Sequence, residues 1–153
     1  MSAQLDHLIL PVNDRAQSIA FYTQILGFVH EGDREPFTVI RVNADLTLQL
    51  AAWGTTGGTH LAFALPRSEF DAVFARVRHA GIAYGDSFQS VGNMRGPGDE
   101  AGSRGPGKAV YVFDPNKHLM AVSVKLWKSG WRPTDAIWTG YFRSFINVTV
   151  WQR

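Results

Sequence analysis

Cysteine is absent from all 153 residues. A disulfide framework and a thiolate-held metal are therefore excluded, and any metal site must use histidine, carboxylate or amide ligands. Long apolar runs are absent too. No segment approaches the roughly 20 residues that cross a bilayer as a helix. Met1-Ser2-Ala3-Gln4 lacks the basic start and apolar continuation of a signal peptide. Together these absences point to a cytoplasmic protein that stays out of membranes. Charge of one sign is scarce as well: 15 Lys and Arg against 13 Asp and Glu leave a net +2. With no dense basic stripe, nucleic acid is not the expected partner.

What is present is core material. The chain is 45% hydrophobic, enough for one compact domain or two small halves sharing a core. Leu5-Asp6-His7-Leu8-Ile9-Leu10 reads as a short strand carrying one imidazole, and the design returns in Thr59-His60-Leu61-Ala62-Phe63-Ala64. A helix follows each strand. Asp14 and Gln17 form a capping box before a helix over Arg15–Leu26, and Ser68-Glu69-Phe70-Asp71 reads as a second box. Phe70, Val73, Phe74 and Val77 then fit the i, i+3, i+4, i+7 template. Gly27 and Gly81 close the two helices.

Three strands follow in each half: Phe28–Glu31, Phe37–Val42 and Leu46–Leu50, then Ile82–Tyr84, Ala109–Phe113 and Leu119–Val124. Leu46, Leu48 and Leu50 alternate with Thr47, Gln49 and Ala51, so the two sets face opposite sides of a sheet. The order β-α-β-β-β thus occurs twice, with His7 and His60, and Gly27 and Gly81, at nearly the same offset. The expected class is α+β: two βαβββ modules, residues 5–53 and 57–124, whose curled mixed sheets form a cleft. A Trp-rich extension occupies 125–153, holding Trp127, Trp131, Trp138 and Trp151. Within it Ile146–Val150 alternates like a strand. The extension could cover an edge, extend a dimer interface or cap the cleft.

Several residues stand out. Gly85–Gly107 is glycine-rich and twice carries Arg-Gly-Pro-Gly, at Arg95 and Arg104. It reads either as a positively charged lid over an anionic ligand or as a surface loop. Trp53, Phe37 and Tyr111 read as an aromatic wall for a flat ligand, or as core. His30, His79 and His118 lie at turns and element ends, so a surface location is expected for each.

Asp6-His7-Leu8, Phe21-Tyr22 with Leu26-Gly27-Phe28, Thr59–Phe63 and Phe113-Asp114-Pro115-Asn116, in this order, resemble the vicinal oxygen chelate superfamily of glyoxalases, bleomycin-resistance proteins and extradiol dioxygenases. The resemblance spans about Leu5 to Val124. It implies a cleft often completed by a second subunit, hence a homodimer, and one divalent metal (Zn, Ni, Mn or Fe) that binds vicinal oxygens of a small molecule. By position it makes His7, His60 and Gln49 the metal ligands. The last strand of the second module normally supplies a glutamate; here that position is Ala121, which weakens the set. Glu100, in the long loop, is the substitute the sequence offers. The substrate contacts expected are Trp53, Phe37, Tyr111 and Arg95, and no catalytic residue is assigned.

Two functions follow from the resemblance. One is a metal-dependent lyase, isomerase, dioxygenase or antibiotic-modifying transferase. The other is a metal-free protein that binds a small molecule such as an antibiotic. A third reading, a scaffold kept for assembly, rests on the Trp-rich extension.

Overall fold

The computed structural model describes residues 3–102 and 105–125. β1 (His7–Pro11) leads to α1 (Arg15–Ala20). Asp14 caps α1, its Oδ1 accepting the Gln17 N–H at 2.9 Å. The sequence predicts one continuous helix to Leu26, but from Phe21 to Ile25 the coil widens into a π-helical turn. There the Leu26 N–H reaches back five residues to the Phe21 carbonyl. One turn earlier the Thr23 hydroxyl donates to the Ile19 carbonyl at 2.7 Å, the kind of side-chain competition that loosens a helical ladder. Gly27, at φ +82°, ends the coil.

β2 (Val29–Arg34), β3 (Phe37–Arg41) and β4 (Thr47–Ala51) complete the first half. β2 extends three residues past the predicted strand, because the turn contracts to Glu35-Pro36. The sheet order is β1-β4-β3-β2, with β1 parallel to β4 and the other pairs antiparallel.

The second half contains β5 (His60–Ala64), α2 (Arg67–His79), β6 (Tyr84–Gly85), β7 (Gly98–Gly102), β8 (Gly105–Phe113) and β9 (Leu119–Lys125). Its order is β5-β9-β8-β6, and β7 also pairs with β8. Two expectations are corrected here. Ser68 lies inside α2, not at its cap: Pro66 takes the cap position without a side-chain bond, and Arg67 pairs instead with Asp71 one turn on, at 2.8 Å. The long loop is also not structureless, since β7 folds back on β8 as a hairpin. Residues 103–104, including Arg104, and the extension 126–153 lie outside the described residues.

The halves share one core. Leu10, Tyr22, Ile40, Leu48 and Leu50 from the first pack in the same cluster as Phe70, Val73, Val110, Met120 and Val122 from the second. Arg76 of α2 ties the helices, its Nε donating to the Ile25 carbonyl at 2.8 Å.

A buried polar lock joins the halves at one end. Tyr22 donates its hydroxyl to Asp114 Oδ2 at 2.9 Å. Asp114 Oδ1 accepts the backbone N–H groups of Asn116 and His118, each at 2.8 Å. The Asn116 amide donates to Ser18 Oγ at 3.0 Å and accepts the Asn13 N–H at 2.7 Å. Burial first, then the neighbouring Asp114, pushes the Tyr22 hydroxyl far above its ordinary pKa, so it stays a proton donor. His118 corrects its surface assignment, for it is 1% exposed. Its Nδ1 accepts the Thr59 N–H at 3.3 Å, which leaves Nε2–H to donate to the Pro11 carbonyl at 2.8 Å. One imidazole thus bridges the end of β1 to the start of β5. His30 and His79 are exposed as expected.

Candidate functional site

Each sheet turns one face to the shared core and the other outward. The strand register sets out the outward faces row by row. On the first sheet the rows are His7, Thr47 and Arg41; then Ile9, Gln49, Val39 and Gly32; then Pro11, Ala51, Phe37 and Arg34. A cavity of about 210 Å³ lies here, lined by Asp6, Glu31, Arg34, Phe37, Arg41 and Gln49 among others. Arg41 forks onto Glu31 at 2.9 and 3.1 Å. That hydrogen bonding holds the Glu31 carboxyl below its usual range, with the charges of Arg41 and Arg34 adding to it. His7 Nδ1 lies 2.7 Å from Asp6 Oδ2. Trp53, 61% exposed, stands edge-on to Phe37 with ring centroids 5.9 Å apart.

The second face has a different character. Its rows are His60, Leu119 and Phe113; then Ala62, Ala121 and Tyr111; then Ala64, Ser123, Ala109 and Gly98; then Lys125, Gly107 and Glu100. Small residues fill its middle rows, and Tyr111 packs among them, itself buried. The Tyr111 ring lies 6.5 Å from His60 on one side and 6.5 Å from Phe88 on the other. Tyr111, Ala109 and Ala121 form an apolar cluster of their own, covered by Val91. Burial, then the charge of Glu100, raises the Tyr111 hydroxyl above its ordinary pKa. Glu100 pairs with Lys125 across Gly107, where a Cβ would meet the Val124 carbonyl at 2.6 Å and Glu100 Oε2 at 3.2 Å.

These two outward faces, one polar and one apolar, rest on paired βαβββ sheets around a single core. The profile of the Glyoxalase/Bleomycin resistance protein/Dioxygenase superfamily matches residues 4–122. The chain belongs to this superfamily. Virulence protein STM3117 of Salmonella typhimurium (strain LT2) is 26% identical over 129 residues, spanning 78% of this chain and 83% of that protein. Oxidase ChaP-H1 superposes with a TM-score of 0.68 at 29% identity, over 81% of this chain and 97% of that one. TnmS3, an antibiotic binding protein from Streptomyces sp. CB03234, gives 0.61 at 20% identity, over 80% and 96%. That last likeness carries the fold alone.

Divalent metals are frequent in the glyoxalase superfamily, so the donor set of this chain is the test. His7 and Gln49 stand on the first sheet and His60 on the second, and no strand pairing joins the two sheets. Ala121 adjoins Ala62 on β5 and is closed in by Tyr111. Glu100 does not replace it. Leu119 in the His60 row and Lys125 in the Glu100 row are six residues apart on β9, roughly 20 Å at strand rise, and Lys125 holds the carboxylate. No group of three His, Asp or Glu is placed to hold a metal among the described residues. The described residues of one chain do not fit a metal centre.

The other expected contacts divide between the faces. Trp53 and Phe37 lie on the first and Tyr111 on the second, so they do not form one wall. Arg95 is exposed and stands 4.0 Å from Asp86 of its own loop. Asp86 also accepts from Asn93 and Ser90, which hold its carboxyl below the usual range. Sequence reasoning passed over Arg34, the Arg41–Glu31 pair and Phe88. The alternation Phe37, Val39, Arg41 was the signal for Arg41, since it puts a cation on the open face.

Proposed function

We propose that the chain binds a small oxygenated molecule in its cleft without a metal, and that it derives from a divalent-metal enzyme whose ligand positions persist as His7 and His60. The observation that carries this reading is Ala121. The position of the anionic ligand lies in an apolar cluster under Tyr111, and an imidazole beside Tyr111, Leu119 and alanine has no carboxylate to complete a site. Tyr111 supplies a hydroxyl and His60 an imidazole, so ligand oxygens meet polar groups beside small side chains. The ligand class of this reading is a small molecule such as an antibiotic. The rival reading, a metal-dependent lyase, isomerase or dioxygenase, needs a third donor from elsewhere. A homodimer belongs to the proposal: Ile9 on one face, and Phe88 and Phe113 on the other, are exposed apolar side chains of the kind that partners cover.

Metal titration decides between the readings. Protein purified without chelator should contain no stoichiometric divalent metal, and Zn²⁺, Ni²⁺, Mn²⁺ or Fe²⁺ should leave its melting temperature unchanged. A site filled at a hundred times its Kd would add about 2.7 kcal/mol, several degrees for a domain of this size. A rise of that kind, lost in His60→Ala, would overturn the metal-free reading.

A further inference from the structure

Arg34 stands apart on the first face. It ends β2 directly across from Phe37 and lines the 210 Å³ cavity. Among the described residues its guanidinium forms no ion pair within 4.0 Å, whereas Arg41 is matched to both oxygens of Glu31. Asp6, the other carboxylate at the cavity, lies against His7 beside β1, at the far edge of the sheet from β2. Between the Arg34 and Arg41 rows sits Gly32, where an added Cβ would meet nothing within 4 Å. The space beside Arg34 is therefore open. Beyond Phe37 stands Trp53, its ring exposed and edge-on to Phe37.

We infer that this end of the first face binds an aromatic carboxylic acid, with Arg34 holding the carboxylate and Phe37 with Trp53 carrying the ring. The inference goes beyond the metal-free reading: it concerns the first face, whereas His60 and Tyr111 lie on the second. A guanidinium fork matches a carboxylate with two parallel N–H···O bonds. Arg41 already pairs with both oxygens of Glu31, the carboxylate whose charge Arg34 also feels, so an incoming anion meets Arg34 beside a matched ion pair. Trp53 and Phe37 cross at 65° in an edge arrangement, which gives an incoming ring one face and one edge. The cavity is smaller than the roughly 300–1,000 Å³ of drug-sized sites, so it suits the carboxylate and one ring.

Three probes separate charge from ring: benzoate carries both, benzamide the ring alone, acetate the anion alone. Calorimetry at low salt should find benzoate binding at least about tenfold more tightly than either, with the margin over benzamide shrinking as salt rises. Arg34→Gln should abolish the preference for benzoate over benzamide, and Arg34→Lys should restore only part of it. Trp53→Ala should abolish the preference for benzoate over acetate. Both side chains are exposed, so unchanged melting temperatures check the fold of the variants. Equal binding of benzoate and benzamide, a preference that survives Arg34→Gln, or no binding of benzoate would each overturn the inference. The metal-free reading is judged separately by metal titration, so either can fail without the other.

Discussion

Asp114→Ala should destabilise the chain by about 3–5 kcal/mol, which would consume much of the 5–15 kcal/mol typical of a whole domain. The carboxylate is buried and accepts four hydrogen bonds, from the Tyr22 hydroxyl, the Asn116 and His118 backbone and the Asn116 amide. Alanine would leave all four donors without an acceptor where water does not reach, and each buried orphan costs about 1–3 kcal/mol. The donors come from both halves, so the loss should reduce the cooperativity between them as well. Tyr22→Phe is the graded control. It removes one donor and leaves Asp114 with its other three, so about 1–2 kcal/mol is expected. Urea unfolding reads both as shifts in midpoint. Because the two share one bond, the double variant should cost less than the sum of the singles. A loss in Asp114→Ala no larger than in Tyr22→Phe would show that the lock does not hold the halves together.

The same pair shows what a sequence reveals and what it hides. Phe21-Tyr22 and Asp114-Pro115-Asn116 stand out as a family signature, yet Tyr22 and Asp114 are 92 residues apart and no local pattern says that they bond. Strand and helix periods are local, so the order β-α-β-β-β and the setting of Gln49 opposite Leu48 and Leu50 were legible. His118 was not. It occupies a turn, where side chains usually reach water, but here the Thr59 N–H and the Pro11 carbonyl both need its ring.

The long loop misled for a related reason. Gly98 and Gly107 read as flexible punctuation. In the fold their missing Cβ atoms let strands approach, since a Cβ at Gly98 would fall 1.9 Å from the Asp86 carbonyl oxygen. The aromatic wall failed because composition does not say which sheet an aromatic belongs to. Trp53 with Phe37, and Tyr111, answer to different strand registers.

Ala121→Glu carries the functional question furthest. The variant should lose about 2–5 kcal/mol in the absence of metal, because it places a carboxylate beneath Tyr111 with no cation beside it. Burial raises the folded-state pKa of that carboxyl above its unfolded value near 4.3. The neutral acid is then the form the fold tolerates. The penalty should be smallest below the unfolded pKa and grow as pH rises through the raised one, reaching its full size at neutral pH. Melting curves from pH 4 to pH 8 would trace this, against a wild type that has no group at this position to titrate. Metal should then reverse the loss. The new carboxylate stands one row from His60 on the neighbouring strand, a diagonal within reach of a long side chain. With His60 and the new carboxylate as two donors and the third supplied across the proposed homodimer, Zn²⁺ or Ni²⁺ should raise the melting temperature of the variant by several degrees, and the combination with His60→Ala should lose that rise. A variant that ignores metal would refute descent from a metal centre and leave metal-free binding untouched. A wild type that responds as strongly as the variant would do the reverse, since Ala121 would then withhold nothing that the site requires.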